Sequence, residues 1–135
     1  MFDNARAFNK NIGSWDVSKV VNMSKMFYGT TNANSNFRNG GSDSIGTWDV
    51  SSVTDMSYMF HGLQPFNQNI GSWDTSNVID MSGMFGFCAF NQNIGGWDVS
   101  SVTNMREMFY GTDNFNWDLN SWDVSKVTNL SLIHI

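Results

Sequence analysis

The feature that most constrains the fold is a Trp-Asp pair that returns in register in each of five repeat units. The tryptophans of these pairs are 33, 25, 24 and 25 residues apart: Trp15, Trp48, Trp73, Trp97 and Trp122. A period of this length indicates stacked repeats, because one such unit cannot bury its apolar face alone. Propeller blades also carry Trp-Asp pairs, but they recur at about 40–45 residues with a Gly-His signal. The sequence therefore predicts a single repeat domain over residues 1–135.

The first half of each unit predicts a short strand. In the first repeat, Ile12, Trp15 and Val17 follow the apolar-x-x-apolar-x-apolar spacing that leucine-rich repeats use to place a strand beside a turn. Trp15 and Val17 would then point inward and Asp16 outward. Stacked repeats would bring these strands into a narrow parallel sheet, with the five tryptophans in one column.

The second half of each unit predicts a short helix. An Asn or Asp precedes each Met run, and these residues are favourable helix N-caps. They are Asn22, Asp55, Asp80, Asn104 and Asn129. A glycine follows six or seven residues later, where it commonly ends a helix: Gly29, Gly62, Gly86 and Gly111. The expected fold is α/β, a single-layer, leucine-rich-repeat-like solenoid of five coils, each with a short strand and a short helix.

The long first step between tryptophans predicts a loop insertion at about residues 30–44. This segment is rich in Gly, Asn and Ser. Insertions in repeat proteins lie on one rim, where they add surface without disturbing the stacked core. We therefore expect part of any interaction surface to lie in this loop.

Composition limits the classes of function. The net charge is −5 and no basic stripe is present, which argues against a nucleic-acid partner. No stretch approaches the roughly 18 apolar residues that a membrane span requires.

The inventory of catalytic side chains is small. His61 and His134 are the two histidines and Cys88 is the one cysteine, so no zinc set at motif spacing is possible. Cys88 lies between apolar residues, which predicts a buried, small apolar side chain. For His61, which follows a Met-Phe pair, a surface role suffices. No phosphate-binding loop or nucleophile elbow occurs. We expect no enzyme activity and no cofactor.

One carboxylate per repeat stands at the same position. These residues are Asp16, Asp49, Asp74, Asp98 and Asp123. If these side chains point outward from adjacent strands, neighbouring carboxylates would lie roughly 5 Å apart, which is the spacing between strands. The favoured interpretation is that each Asp accepts local hydrogen bonds from the backbone or from the serine two positions later. These serines are Ser18, Ser51, Ser76, Ser100 and Ser125. The alternative is a row of oxygen ligands for cations or sugar hydroxyls; no other metal site is expected.

A column of asparagines allows the same two interpretations. Its members are Asn9, Asn67, Asn91 and Asn116. An internal amide ladder, of the kind found in leucine-rich repeats, is favoured over a ligand-binding row. The Trp and Phe columns are predicted to be core, because they occupy the periodic inward positions.

The run FNQNIGSWDTSNVIDMSGMF, residues 66–85, and its relatives resemble the repeats of bacterial surface proteins and mycoplasma-type lipoproteins. These are commonly grouped with BspA-like leucine-rich repeats. The resemblance covers nearly the whole chain. It implies a cell-surface or extracellular setting and a role in adhesion or recognition, with no catalytic residues. The setting follows from the resemblance alone, since the chain carries neither a lipoprotein signal nor a wall-anchoring tail.

Three hypotheses of function follow. The leading one is a non-catalytic scaffold that presents a surface to a protein or glycan partner. The alternative is a small-ligand or cation-binding solenoid that uses the Asp column. An enzyme would need a deep pocket with a perturbed acid pair. Self-association through the solenoid ends is also expected, because apolar cross-sections should not stay bare in water. The residues concerned are Phe2, Phe8, Val127, Leu130, Leu132 and Ile133.

Overall fold

The repeats stack in parallel, and one residue of each repeat forms a β-bridge to the next. A computed structural model describes residues 7–29 and 38–131. Four isolated parallel bridges link successive repeats: Asn22 to Asp55, Asp55 to Asp80, Asp80 to Asn104, and Asn104 to Asn129. The bridging residues are those that the sequence predicts as helix N-caps. One bridging residue in each repeat thus marks the line along which the units stack.

The predicted α/β solenoid, with a strand and a helix in each of five coils, is wrong. Within residues 7–29 and 38–131 there is neither an α-helix nor a named strand or sheet. The helices present are two 3-10 helices, Asn39–Gly41 and Ser44–Thr47, both outside the repeated Met run. Most of the described chain consists of turns and extended connections.

The Met run forms turns whose N–H groups bond the next repeat. The N–H of Met26 donates to the carbonyl of Met23 at 3.1 Å, which closes one turn. The N–H of Met23 donates to the Asp55 carbonyl at 2.8 Å, and that of Lys25 donates to the Ser57 carbonyl at 2.9 Å. Later repeats use the equivalent donors Met56 and Tyr58, Met81 and Gly83, and Met105 and Glu107. Because the neighbouring repeat satisfies these groups, the run has no need of an α-helical ladder.

A left-handed residue in the middle of each Met run excludes a helix there. Lys25 has φ 54°. The equivalent residues also have positive φ: Tyr58, Gly83 and Glu107. An α-helix requires negative φ at every position. The predicted terminal glycines Gly62 and Gly111 are left-handed, but in the third repeat Phe87 takes this conformation in place of Gly86.

The predicted strand segment is also a pair of turns. The N–H of Trp15 donates to the Ile12 carbonyl at 3.0 Å, and that of Val20 donates to the Val17 carbonyl at 2.9 Å. In this segment the indole nitrogen of tryptophan links the repeats, because Trp48 Nε1 donates to the Ile12 carbonyl at 3.2 Å. A side-chain bond therefore links the repeats where the sequence predicts a parallel sheet.

Aromatic columns fill the core. The ring centroids of Trp48 and Trp73 are 6.4 Å apart, as are those of Trp73 and Trp97, with the planes within 6° of parallel. The predicted tryptophan column is confirmed for these three. Trp15 is 39% exposed, so it is less deeply buried than Trp73 at 4%. Columns of phenylalanine and methionine complete the buried cluster. Its fully enclosed aromatic members are Phe60, Phe66, Phe85, Phe90 and Phe109.

The predicted apolar ends lie partly within the described residues. Leu130 is 44% exposed, while Phe8 and Val127 are partly buried against the core. Phe2, Leu132 and Ile133 lie outside the described residues. The part of the chain that is described contains no helix with the length and apolarity needed to cross a bilayer.

Candidate functional site

The Asp column lies on the outside of the stack, and each member bonds its own turn. Asp16 Oδ1 accepts from the backbone N–H of Ser18 at 3.0 Å and from its hydroxyl at 2.6 Å. The four equivalent aspartates accept in the same way from Ser51, Ser76, Ser100 and Ser125. The local hydrogen-bond interpretation is therefore confirmed. Bonds from the serine hydroxyl and then from its N–H lower the pKa of the carboxyl at four positions: Asp16, Asp49, Asp98 and Asp123. No group of three His, Cys, Asp or Glu suited to a metal occurs within the described ranges.

The bridging Asx residues use the same chemistry. Asn22 Oδ1 accepts from the backbone N–H of Ser24 at 2.8 Å, which is the hydrogen bond of an N-cap without a helix behind it. Its amide nitrogen donates to Asp55 Oδ2 at 3.3 Å, in the next repeat. These side chains thus hold a turn and also link two repeats.

The predicted internal amide ladder is wrong. All four asparagines of that column are exposed: Asn9, Asn67, Asn91 and Asn116. Asn67 Oδ1 accepts from the backbone N–H of Asn91 at 2.8 Å, so the column ties repeats together from outside. The buried amide is Asn39, whose Oδ1 accepts from the Ile12 N–H at 2.8 Å. Asn39 lies in the insertion, outside the repeat register, and no periodic signal could have indicated it.

An open groove, which we call the amide groove, crosses three repeats on the side of the insertion. Its volume is about 620 Å³. It is lined by Asp43, Gly46, Thr47, Asn69, Gly71, Ser72, Asn93 and Gly96. Asn69 and Asn93 are held in place by the N–H groups of Gly71 and Gly95, each two residues further on, at 3.1 and 3.0 Å. The groove thus presents amide, hydroxyl and carboxylate groups in equivalent turns.

Glycines set how closely these turns approach one another. A Cβ added at Gly46 would lie 2.4 Å from the Asn69 carbonyl oxygen, and one added at Gly71 would lie 2.4 Å from that of Asn93. Real Cβ atoms do not make such contacts, so these two positions require glycine. Gly96 differs, since a Cβ there would meet open space.

A smaller pocket, which we call the Gln68 pocket, adjoins the groove. Its volume is about 190 Å³. It is lined by Arg38, Gly41, Asp43, Pro65, Asn67 and Gln68. Asp43 lines both the groove and the pocket. Arg38, Gly41 and Asp43 belong to the insertion, so its described part lines both cavities, while residues 30–37 lie outside the described residues.

His61 lies in a cluster of aromatic rings at another edge. Its ring stacks on Tyr28 at 5.2 Å and meets the edge of Phe87 at 5.5 Å. Burial lowers the pKa of His61, and Glu107 opposes that effect. Its Nδ1 is buried and has no hydrogen-bond partner among the described residues. His61 is thus half-buried, not simply a surface residue; His134 lies outside the described residues.

Cys88 is buried as predicted. Its thiol lies 3.3 Å from the carbonyl oxygens of Leu63 and Phe66. Burial raises the pKa of this thiol to about 12. The thiol therefore stays protonated at neutral pH, and it is not a nucleophile.

Comparison with known proteins gives one relationship. No curated protein and no solved structure matches the chain. A family model described as "Mycoplasma protein of unknown function, DUF285" matches residues 1–40 and 31–134. The two matched stretches cover the repeats from end to end, in agreement with the resemblance to mycoplasma-type repeats. The chain therefore belongs to this Mycoplasma family of repeat proteins, DUF285.

Proposed function

We propose that this chain is a non-catalytic recognition module that binds an extended polar ligand, protein or glycan, in the amide groove. The observation that carries the proposal is the composition of the groove. Hydroxyl, amide and carboxylate groups from three successive repeats line one open groove with a volume of about 620 Å³. Such groups donate and accept hydrogen bonds with a ligand, and among the described residues no histidine lines the groove to activate one of its hydroxyls as a nucleophile.

The chemistry of the lining supports binding over catalysis. Asp43 is the one titratable side chain among the eight residues that line the groove. General acid–base catalysis of most kinds needs two groups in convergent positions. The histidine and the thiol of the described chain lie in other clusters, and both are at least half-buried. The groove therefore favours recognition.

The proposed setting is the cell surface. Its support is the resemblance of the repeats to bacterial surface proteins grouped with BspA-like leucine-rich repeats. Open, shallow and polar grooves suit contact with large external partners better than small-molecule pockets, which are concave and mostly apolar. Adhesion is the role that this combination favours.

Cation binding by the Asp column is a second candidate. Its support is the repulsion between neighbouring carboxylates: the serine bonds lower the pKa of Asp49 and of Asp98, and the charges of Asp16 and Asp123 partly oppose that lowering. A bound Ca²⁺ would relieve this repulsion and stabilise the folded state by mass action. Under this hypothesis the melting temperature rises with millimolar Ca²⁺, and Asp74→Asn reduces the rise. A melting temperature that is indifferent to Ca²⁺ would exclude it.

Two arginine variants test the leading proposal. Gly96→Arg places a long side chain in the groove, where the Cβ meets open space. Ser14→Arg is the matched control, because Ser14 also directly precedes a repeat tryptophan, is exposed and lies outside the groove. On arrays of oligosaccharides and purified extracellular proteins, we expect Gly96→Arg to weaken binding at least tenfold and Ser14→Arg to leave it unchanged. Equal binding by both variants, or no binding by the unmodified chain, would contradict the proposal.

A further inference from the structure

We propose that the Gln68 pocket binds one ring of a neutral oligosaccharide whose following rings lie along the amide groove. This inference rests on the proposed function of the groove and names its ligand. The two cavities meet at Asp43, so one ligand can occupy both.

One residue that lines the pocket carries a buried amide oxygen without a hydrogen-bond partner among the described residues. Gln68 is 6% exposed, and its Nε2 donates to the carbonyl oxygen of Arg38. That bond fixes the orientation of the amide, since only the nitrogen can donate to a carbonyl. Oε1 has no hydrogen-bond partner in the described part of the chain. A buried acceptor without a donor is costly, and a shift of the Gln68 side chain that let a ligand hydroxyl reach Oε1 would remove that cost.

Asp43 offers a second acceptor at the junction. It is exposed, and its Oδ1 accepts one long bond, 3.4 Å, from the backbone N–H of Asn69. An ionised carboxylate has about four acceptor sites, so most of its capacity is available to a ligand. Gln68 and Asp43 together require a ligand that carries several donors.

The charges around the pocket select a neutral ligand. The guanidinium-bearing Arg38 lines the same pocket and forms no ion pair within the described ranges. Because Arg38 and Asp43 carry opposite charges in one pocket, neither an ammonium group nor an anion meets a net attraction there, and the net charge of −5 further disfavours an anion. Sugar hydroxyls both donate and accept, so they can bond Asp43 and Gln68 while accepting from Arg38.

The dimensions agree with one ring in the pocket and an oligomer in the groove. At about 190 Å³, the pocket is smaller than the range typical of drug-sized ligands, roughly 300–1,000 Å³. The groove beyond it is more than three times larger. Asn69 and Asn93 occupy equivalent positions in neighbouring repeats, which stack roughly 4.8 Å apart as parallel-bridged chains do. Successive rings would therefore each meet one amide.

The test uses immobilised tri- and tetrasaccharides of hexose and N-acetylhexosamine units, beside sialylated and free-amine analogues. We expect the full chain to retain neutral members and to bind the charged analogues at least tenfold more weakly. Asp43→Asn and Gln68→Met should each weaken binding at least tenfold. Asp113→Asn, an exposed carboxylate outside both cavities, should bind as the unmodified chain does. Unchanged melting temperatures of the two pocket variants would show that the loss is not unfolding.

The outcomes separate this inference from the proposed function. If neutral oligosaccharides bind, and Gly96→Arg abolishes binding while Asp43→Asn and Gln68→Met do not, the groove binds but the pocket assignment is overturned. If only proteins or charged sugars bind in the groove, recognition stands and the neutral-sugar assignment fails. If no oligosaccharide and no protein is bound, both fail.

Discussion

The indole Nε1 of Trp73 donates a hydrogen bond of 2.9 Å to the carbonyl oxygen of Ile45, in the preceding repeat. Trp97 and Trp122 donate in the same way to Ile70 and Ile94. Each tryptophan therefore packs in the core and also satisfies a buried backbone carbonyl of its neighbour. This explains why tryptophan suits the position better than phenylalanine, which packs as an aromatic ring but lacks the donor.

Truncation of the central tryptophan should be severe. Trp73 is 4% exposed, so Trp73→Ala should lower the free energy of unfolding by roughly 3–5 kcal/mol. Trp73→Phe should cost less, because it loses the hydrogen bond but keeps most of the packing. Trp117, which is 44% exposed, is the control, and its alanine variant should cost at most about 1 kcal/mol. Urea denaturation measures all three, and equal losses at Trp73 and Trp117 would contradict this core.

The left-handed turn should be sensitive to side chains at Gly83. This residue has φ 59°, and an added Cβ would lie 2.4 Å from Cε1 of Tyr58. Gly83→Ala should therefore destabilise the chain by more than about 1 kcal/mol through strain and contact. Gly96→Ala should change stability by less than about 0.5 kcal/mol, since its Cβ meets open space. Chemical denaturation of the pair checks this; if Gly83→Ala proves as stable as Gly96→Ala, the turn geometry is wrong.

The repeat period predicted the columns correctly but not the local backbone. Register alone places Trp48, Trp73 and Trp97 in one stack, whatever conformation joins them. The apolar spacing of the Met run predicts a helix. Lys25 and Glu107 nevertheless adopt the left-handed conformation, and because neither is a glycine, the sequence does not indicate it. Hydrogen bonds to the next repeat hold these residues in the left-handed conformation, and the sequence of a single repeat does not predict such bonds.

The site was harder to predict than the core. The periodicity of the Asp column suggests a ligand-binding row, but each aspartate bonds the serine of its own turn. Gln68 and Asn39 owe their environments to the insertion, which breaks the period, so repeat alignment could not reveal them. The sequence signal that could have indicated the groove is the glycine two positions before a repeat tryptophan. Gly46 and Gly71 lie close to the carbonyl oxygens of the next repeat, and these contacts shape the groove.

Acidification should destabilise the fold through His61. Burial lowers the pKa of His61 in the folded chain below the ordinary value of 6.5, with Glu107 opposing. Below pH 6.5 the unfolded chain therefore binds more protons than the folded chain, and stability present above that pH is lost progressively as pH falls. We expect the urea concentration at the unfolding midpoint to decrease as the pH is lowered from 7.5 to 5.5.

Two histidine variants separate the source of this pH dependence. His61→Phe keeps an aromatic ring against Tyr28 and should flatten the pH profile of the urea midpoint between pH 7.5 and 5.5. His134→Gln should leave the profile of the unmodified chain intact. A profile that His61→Phe does not change would show that His61 is not the responsible group.

The serine two positions after Asp49 should control the pKa of that carboxyl. The Ser51 hydroxyl donates to Asp49 Oδ1 at 2.6 Å, and this bond is the largest cause of the lowered pKa of Asp49. Ser51→Ala should raise that pKa toward the ordinary value of 3.8. Ser52→Ala removes a hydroxyl that bonds the Ser18 carbonyl instead, and it should leave Asp49 unchanged. Carboxyl titration followed by NMR distinguishes the two; equal shifts would reject the local interpretation.

Mapping of a bound ligand onto the backbone amides tests the central claim most directly. With a neutral oligosaccharide or a protein retained on the arrays, amide shifts in NMR spectra should change at Asp43, Asn69 and Asn93, which line the amide groove. The turns of the Asp column should stay unaffected. Shifts concentrated at Asp16, Asp49 and Asp98, with none in the groove, would contradict the account and place recognition on the acidic face.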